Sequence, residues 1–426
     1  MTIGERSAAI MRIAGPCQGD SVLGSRSHFR IGGAVQRRLW SFQEPAWGDS
    51  RMGSMILRAS SPWDALMSVP DHRRPEGKRY PLASLLLIAI AAMLAGRRDQ
   101  PGIVRWGRGL NHDTLTGIGI ERDRVPAPSV WCELFQDLDA AALERALGGW
   151  VTGETPATGH VAIDGKVLRG SATARSPATH LLAAFSASLQ GVIGQSRVAP
   201  ETNEITAALE LLKTLPLKDV TITGDAIFTQ RAICLAIIDG GGDYFFTVKG
   251  NQPALKADIA EAFRPFSPSA EWSAPPDLGR AETIEKSHGR IEARRIETAA
   301  SLNALPAPLW AGVAQVCRIT RERIVRGKKT IVTVYAITSL SAERASPGRL
   351  PALNRVHRGI ENCLHYVRDV TGREDRARAN AGHAPQVLAA FRKTALTVIR
   401  RLGFKVVEGF EYLAEYRLAA VQAARG

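Results

Sequence analysis

The sequence predicts an α/β protein: a mixed β-sheet core, a β-rich insertion inside it and a helical region ahead of it. Three observations carry this. Short apolar runs alternate with helical patterns between residues 160 and 249. Strand-like runs without intervening helices fill much of 265–350. Helical patterns fill 60–150, around one apolar segment, Leu82–Gly96. Strand–helix–strand order marks parallel neighbours, and short turns mark antiparallel ones.

Residues 1–58 are rich in Gly, Ser and Arg and hold no sustained period, so a poorly ordered extension is expected there. Met52, Met55 and Met67 offer alternative starts. A helical N-terminal domain is expected over 59–155. Arg73, Arg74, Lys78 and Arg79 precede Leu82–Gly96, and Arg97 and Arg98 close it, where cations suit a helix C-terminus. The segment is shorter than the ~20 residues that span a bilayer, so it reads as a buried core helix, with no membrane partner. Pro126–Pro128 breaks the chain, and Val130–Leu147 returns to helical spacing. The basic flanks allow DNA binding by this domain, but a solvated basic face reads as well.

The first part of the core is expected over 156–264. His160–Leu168 alternates as a strand, with Val161 and Ile163 on one face and Ala162 and Asp164 on the other. Leu181–Leu189 and Val192–Ala199 form a hairpin about Gln190-Gly191. A helix over Glu204–Leu215, a strand over Val220–Gly224 and a helix over Ala226–Ile238 follow. Asp243–Lys249 (DYFFTVK) is apolar throughout, as a central strand would be. The insertion, 265–350, begins with Pro and Gly punctuation over 265–280. Strands follow at Ile291–Thr298, Val313–Ile319 and Thr330–Thr338, with a basic turn at Arg326–Lys329. Residues 351–426 return to helix and complete the core, although the tail after Phe404 is ambiguous.

Across 426 residues the formal net charge is +14 and the pI about 10.0. Such an excess attracts polyanions through counterion release; a merely solvated basic surface is the alternative. The five cysteines are scattered and form no Cys-x-x-Cys. That points away from a zinc ribbon or a disulfide framework and towards a reducing cytoplasm.

Three acidic residues stand where metal chemistry would want them. Asp164 and Asp225 follow strand-like runs, where ligands collect beyond the carboxyl ends. Gly224 leaves the backbone beside Asp225 open to a ligand. Glu361 lies one residue round from an apolar stripe of Val356, Ile360, Leu364 and Val367, with His357, His365 and Arg368 as its helical neighbours. Two divalent ions about 3.5–4 Å apart can serve the attacking and leaving oxygens of a phosphodiester displacement. Simpler readings exist for each residue. Asp164 or Asp225 can be a turn residue or helix cap, and Glu361 a partner of Arg358 or Arg368. His357-x3-Glu361-x3-His365 can hold zinc. Lys249-Gly-Asn-Gln-Pro253 is either an ordinary turn or a place where Lys249 and Asn251 meet a DNA backbone.

The motifs Ala-Ile-Asp-Gly-Lys-x-Leu-Arg-Gly (162–170), Gly-Asp-Ala-x-Phe-Thr-Gln (224–230), Tyr-Phe-Phe-Thr-Val-Lys-Gly-Asn-Gln-Pro (244–253), His-Gly-Arg-Ile-Glu-x-Arg (288–294) and Ile-Glu-Asn-x-Leu-His-Tyr-Val-Arg-Asp-Val (360–370) occur in that order. Glu-Asp-Arg-x-Arg (374–378) and Asn-Ala-Gly-His-Ala-Pro-Gln-Val (380–387) continue the series, and Pro70–Gly96 precedes it. Together they resemble the ISAs-type insertion-sequence transposases and their H-repeat-associated relatives, from about residue 65 to 403.

The resemblance implies an RNase H-like core with a DDE triad of Asp164, Asp225 and Glu361 holding two Mg²⁺ ions, with Mn²⁺ as a substitute. It implies DNA as partner, both terminal inverted repeats and target, bound by a homodimer in a bacterial cytoplasm at the nucleoid. By motif, DNA contacts fall to Lys166, Lys249, Asn251, His288, Arg290, His357, Asn362, His365 and Arg368. The wider group carries Tyr-x2-Arg-x3-Glu-x6-Lys; here those positions hold Asn354, His357, Glu361 and Arg368. A DNA-binding relic without transposition, and a metal nuclease that only hydrolyses, are the other two readings.

Overall fold

The computed structural model describes residues 61–75, 78–153, 159–264, 278–287, 289–300 and 310–426, apart from the side chains of Ser287, Asn354 and Val356. The expected extension 1–58 and the motif residue His288 lie outside these.

The helical region holds α1 (Pro62–Met67), α2 (Leu82–Leu94), α3 (Gln100–Gly107), α4 (His112–Gly117), α5 (Pro128–Asp137) and α6 (Ala140–Thr152). Every residue of α2 is buried, as expected of a core helix. Its eight large apolar side chains contribute on the order of 10–20 kcal/mol by area removed from water, an upper bound. Gly96, at φ +72° just beyond α2, takes the left-handed turn that ends many helices. The Val130–Leu147 pattern is two helices rather than one. Leu138 turns extended after α5, and Asp139 accepts from the Ala142 amide at 2.9 Å to start α6 anew. A capping aspartate at that position overrides the continuous apolar spacing.

The core begins with β1 (Gly159–Leu168), β2 (Thr179–Ser186) and β3 (Gly191–Val198), an antiparallel meander. Helix α7 (Glu204–Leu212) leads to β4 (Val220–Gly224), which pairs parallel to β1. The helix expected over Ala226–Ile238 is interrupted: one 3-10 turn, Ala226–Phe228, precedes α8 (Arg231–Asp239). Strand β5 (Asp243–Val248) then pairs parallel to β4. Helix α9 (Pro253–Glu261) follows.

The insertion's strands are β6 (Leu278–Ser287), β7 (Arg290–Ala299), β8 (Gln315–Val325) and β9 (Lys328–Thr338). Strand β6 starts inside the segment expected to be Pro/Gly-punctuated loop. Its alternating charges are answered across the sheet by Glu297, Arg294 and Arg295 of β7. The tip between β8 and β9 is the two-residue turn Arg326-Gly327, both at positive φ, as tight hairpins require. Lys328 and Lys329 belong to β9. Because β9 also pairs antiparallel to β5, the insertion continues the core sheet instead of standing apart. The order is β3-β2-β1-β4-β5-β9-β8-β7-β6, which leaves β5 in the middle, as its apolar Tyr244–Phe246 run predicts.

Helix α10 (Leu350–Gly359) runs into two π-helical stretches, Ile360–His365 and Val367–Thr371. Helices α11 (Ala384–Arg401), α12 (Val406–Glu415) and α13 (Arg417–Arg425) complete the chain. Helix α2 packs against α11 and α13, and α6 against β3, so the helical region and the sheet share one hydrophobic core. Among the described residues no helix is long and apolar enough to cross a membrane.

Candidate metal centre

Alternation along β1 puts Ala162, Asp164 and Lys166 on one face. Ala162 packs with Ile360 and Leu364 in a small apolar cluster that also holds Phe185 and Leu396. That contact lays the π-helical segment across the middle of β1. Glu361 and His365, four residues apart, then flank Asp164. One ligand atom from each of Asp164, Glu361 and His365 lies within 4.8 Å of the others. π-Helical turns are rare and concentrate at functional sites.

Asp164 is mostly buried. Burial, then a hydrogen bond and repulsion from the Glu361 carboxylate, push its carboxyl up to about 7. Two carboxylates this close share a proton unless a cation takes its place. The His365 Nδ1 lies 3.8 Å from Asp164 Oδ2. Burial, with Arg368 and Lys166 nearby, holds His365 down at about 3. Its imidazole is therefore neutral near pH 7, the form that ligates metal. Its Nε2 is buried with no hydrogen-bond partner. An acidic pair that repels itself beside a neutral, unsatisfied imidazole fits a divalent cation.

Asp225 stands on the next strand. Ile163 of β1 faces Gly224 of β4 in parallel register, so Asp164, in the middle of β1, and Asp225, just past the end of β4, lie on neighbouring strands about 4.8 Å apart at the backbone. Its side chain does not join the other three: Lys249 Nζ holds Asp225 Oδ1 at 2.7 Å. Burial raises the Asp225 carboxyl, but Lys249, the Ala226 amide and His357 outweigh it, and the net shift is downward. His357 lies near enough to feel both Asp225 and Glu361. Its Nδ1 is 3.3 Å from Thr223 Oγ1, and that hydroxyl is 2.7 Å from His160 Nε2. Burial, then His357, holds His160 down at about 3.

The remaining predicted residues divide. Asn251 is exposed and donates to the Ala226 carbonyl at 2.7 Å, tying the loop after β5 to the loop after β4. Asn362 is exposed beside Glu361. Arg290 stands at the start of β7, opposite Val325 beside the insertion tip, with Nε 3.5 Å from Glu292 Oε2. Two expected DNA contacts face inward instead. Lys166 is 7% exposed and pairs with Asp369 at 2.6 Å. Arg368 is 1% exposed and pairs with Glu374 at 2.8 Å. Glu374 also holds Arg392 at 3.0 Å, so this trio braces the π-helical segment against α11. The zinc arrangement does not assemble, because His357 turns to Thr223 while His365 turns to Asp164. Gly224 has a different purpose from the one expected: a Cβ there would meet Phe228 Cδ2 at 2.7 Å and Ile163 Cγ1 at 3.2 Å. The glycine makes room for a packed ring.

Thr223, His160, Asp369 and Glu374 escaped the sequence reading. Glu374 had a signal, since it opens the Glu-Asp-Arg-x-Arg motif. Thr223 had none beyond its place two residues ahead of Asp225.

Residues 155–398 match the family described as Transposase DDE domain, and residues 63–151 match the DDE_Tnp_1-associated family. The chain belongs to the DDE transposases. Its sheet is accordingly an RNase H-like core with inserted β-strands, and the transposase is a metal-using enzyme that cleaves DNA, with Asp164, Glu361 and His365 as its candidate metal centre. It is 32% identical over 283 residues to the "Uncharacterized protein in dhlA 3'region" of Xanthobacter autotrophicus, covering 65% of this chain and 93% of that one. It is 29% identical over 342 residues to "H repeat-associated putative transposase YhhI" of Escherichia coli, covering 78% of this chain and 88% of that one. A cryo-EM structure of piggyBac transposase in a synaptic complex with hairpin DNA aligns over 87% of this transposase and 83% of its own chain, at 12% identity and TM-score 0.41.

Proposed function

We propose that the transposase hydrolyses a phosphodiester at each end of its element and joins the freed 3′-OH to target DNA. Asp164, Asp225 and Glu361 would hold two Mg²⁺ ions, or Mn²⁺ in their place, with His365 as a neutral ligand beside them. The observation that carries this is the Asp164–Glu361 pair: burial first, then the hydrogen bond and charge of Glu361, raise the Asp164 carboxyl to about 7. Bound ions of this kind activate the attacking oxygen and stabilise the leaving one.

The chain's own residues supply the rest. β1 and β4 fix the two aspartates on rigid neighbouring strands. The π-helical segment delivers Glu361 over them. Lys249, which holds Asp225 here, would be free to turn its ammonium to a DNA phosphate once Asp225 is engaged otherwise. His357, steadied by Thr223, supports the acidic group from the side, and Asn251 and Asn362 face the approaching strand. In this reading 59–155 forms a helical N-terminal domain, 156–264 the first part of the core, 265–350 the insertion and 351–426 the helices that complete it. Two copies would act together, one on each inverted repeat, in a bacterial cytoplasm.

The test is cleavage of end-bearing DNA by purified protein with Mg²⁺. Cleavage surviving Asp225→Asn sinks the two-metal assignment. Cut ends without joined product point to a nuclease, and binding without cutting points to a relic.

A further inference from the structure

Parts of two sequence motifs lie outside the metal centre: the end of 162–170 and the residues after Glu374 in 374–378. The fold brings them together. Gly170 sits so close to the other segment that a Cβ would meet the Ala377 carbonyl at 2.4 Å and the Asp375 carbonyl at 2.8 Å. The Arg169 amide donates to Asp375 Oδ1 at 3.2 Å. Around this junction lies an open cavity of about 600 Å³, lined by Arg169, Thr173, Asp375, Arg376, Arg378 and Asn380.

Its charge is lopsided. Three arginines face one carboxylate, and that carboxylate lies 3.9 Å from an Arg169 side chain that remains 83% exposed. Arg376 and Arg378 are exposed as well. More cations crowd behind: burial, then Arg373 and Arg376, hold Arg98 below its ordinary value. Elsewhere the fold answers such crowding with buried acid, as Glu374 does for Arg368 and Arg392. Here Asp375 and, behind it, Asp99 answer only part of the charge. Planar guanidiniums with hydroxyl and amide donors between them are the chemistry that grips phosphate oxygens.

We propose that this groove holds backbone phosphates of the DNA strand that passes the metal centre. The proposal rests on the reading of the chain as a DNA-cutting transposase and adds a second anchoring site to it. Arg169 opens the turn that follows β1, and the strand from Asp164 to Leu168 plus that step set it roughly 16 Å away at ~3.3 Å per residue. At ~3.4 Å per nucleotide, the phosphate gripped lies about five nucleotides from the one that is cut. The groove thus sets the strand's path without touching the reacting atoms.

The experiment measures binding of the full-length protein to a mixed-sequence duplex oligonucleotide over a range of salt. The double variant Arg376→Gln/Arg378→Gln is compared with Lys213→Gln/Lys218→Gln, which removes equal charge at the opposite end of β4. The slope of log affinity against log salt falls by between about one and two in the groove variant, since each lost phosphate contact removes ~0.9. Arg376→Lys/Arg378→Lys restores most of it, because lysine still supplies the charge. A fall no larger than that of the control pair overturns the proposal, as does an unaltered protein that binds no DNA. Cutting is scored separately: intact cutting with an unchanged slope removes the groove alone, and a reduced slope with no cutting removes the catalytic reading alone.

Discussion

Lys249 and Asp225 meet across the ends of β5 and β4, with Nζ 2.7 Å from Oδ1. If Asp225 holds metal as proposed, the ammonium occupies the oxygen the ion would use, and in the free protein it competes with that ion. Lys249→Met should therefore tighten metal binding, by about two- to fivefold for an exposed pair, while weakening DNA binding. Titration with Mn²⁺ in the absence of DNA reads the first effect. Weaker metal binding by the variant would mean that Lys249 organises the site instead of guarding it.

Metal entry should also expel a proton. The Asp164 carboxyl, raised to about 7, still carries most of its proton at pH ~6 and has lost it by pH ~8.5. Metal affinity therefore falls as pH drops below 7, and binding releases close to one proton at the lower pH and almost none at the higher. His365, at about 3, is already neutral and adds none. Calorimetry in buffers of different ionisation enthalpy measures the release. Asp164→Asn should abolish both the release and cleavage, the latter by on the order of 10³-fold. Equal proton release at both pH values would contradict the shared-proton pair.

Glu374 should be a stability residue. Burial opposes its charge, but Arg368 and Arg392 more than compensate and hold it at about 2. A carboxyl depressed on folding contributes stability above its unfolded value near 4.5, and that share is lost as pH falls towards 2. Glu374→Gln strands two buried guanidiniums and should cost about 3–5 kcal/mol at neutral pH. Urea unfolding measures it, and a loss under about 1 kcal/mol would show that water serves the arginines equally well.

Gly224→Ala separates packing from ligand access. If the missing Cβ makes room for Phe228 and Ile163, alanine overpacks the core by about 1–3 kcal/mol and lowers the melting temperature. Undiminished melting with lost cleavage would instead favour a ligand passing over the backbone.

Strands were legible where one face is buried and the alternation shows, as in β1, or where both faces are buried, as in β5. Strand β6 was not, because Arg280, Glu282 and Glu285 read as loop until their partners on β7 are known. Asp225 was legible because the strand pattern puts it just past β4; Asp164 was expected where a strand ends, but β1 runs on to Leu168 and holds it mid-strand. The cations were not. Whether Lys166 or Arg368 faces DNA depends on Asp369 and Glu374 folding back over them, and spacing alone does not distinguish a buried partner from an exposed one.

The sheet that carries the metal centre also carries the insertion, and its order ends at β6. An open edge of that kind invites a further strand from another molecule. The charges along β6 discourage this: an added strand would have to settle against Arg280, Glu282 and Lys286. At this edge, among the described residues, charge therefore works against growth of the sheet by a strand from a second molecule.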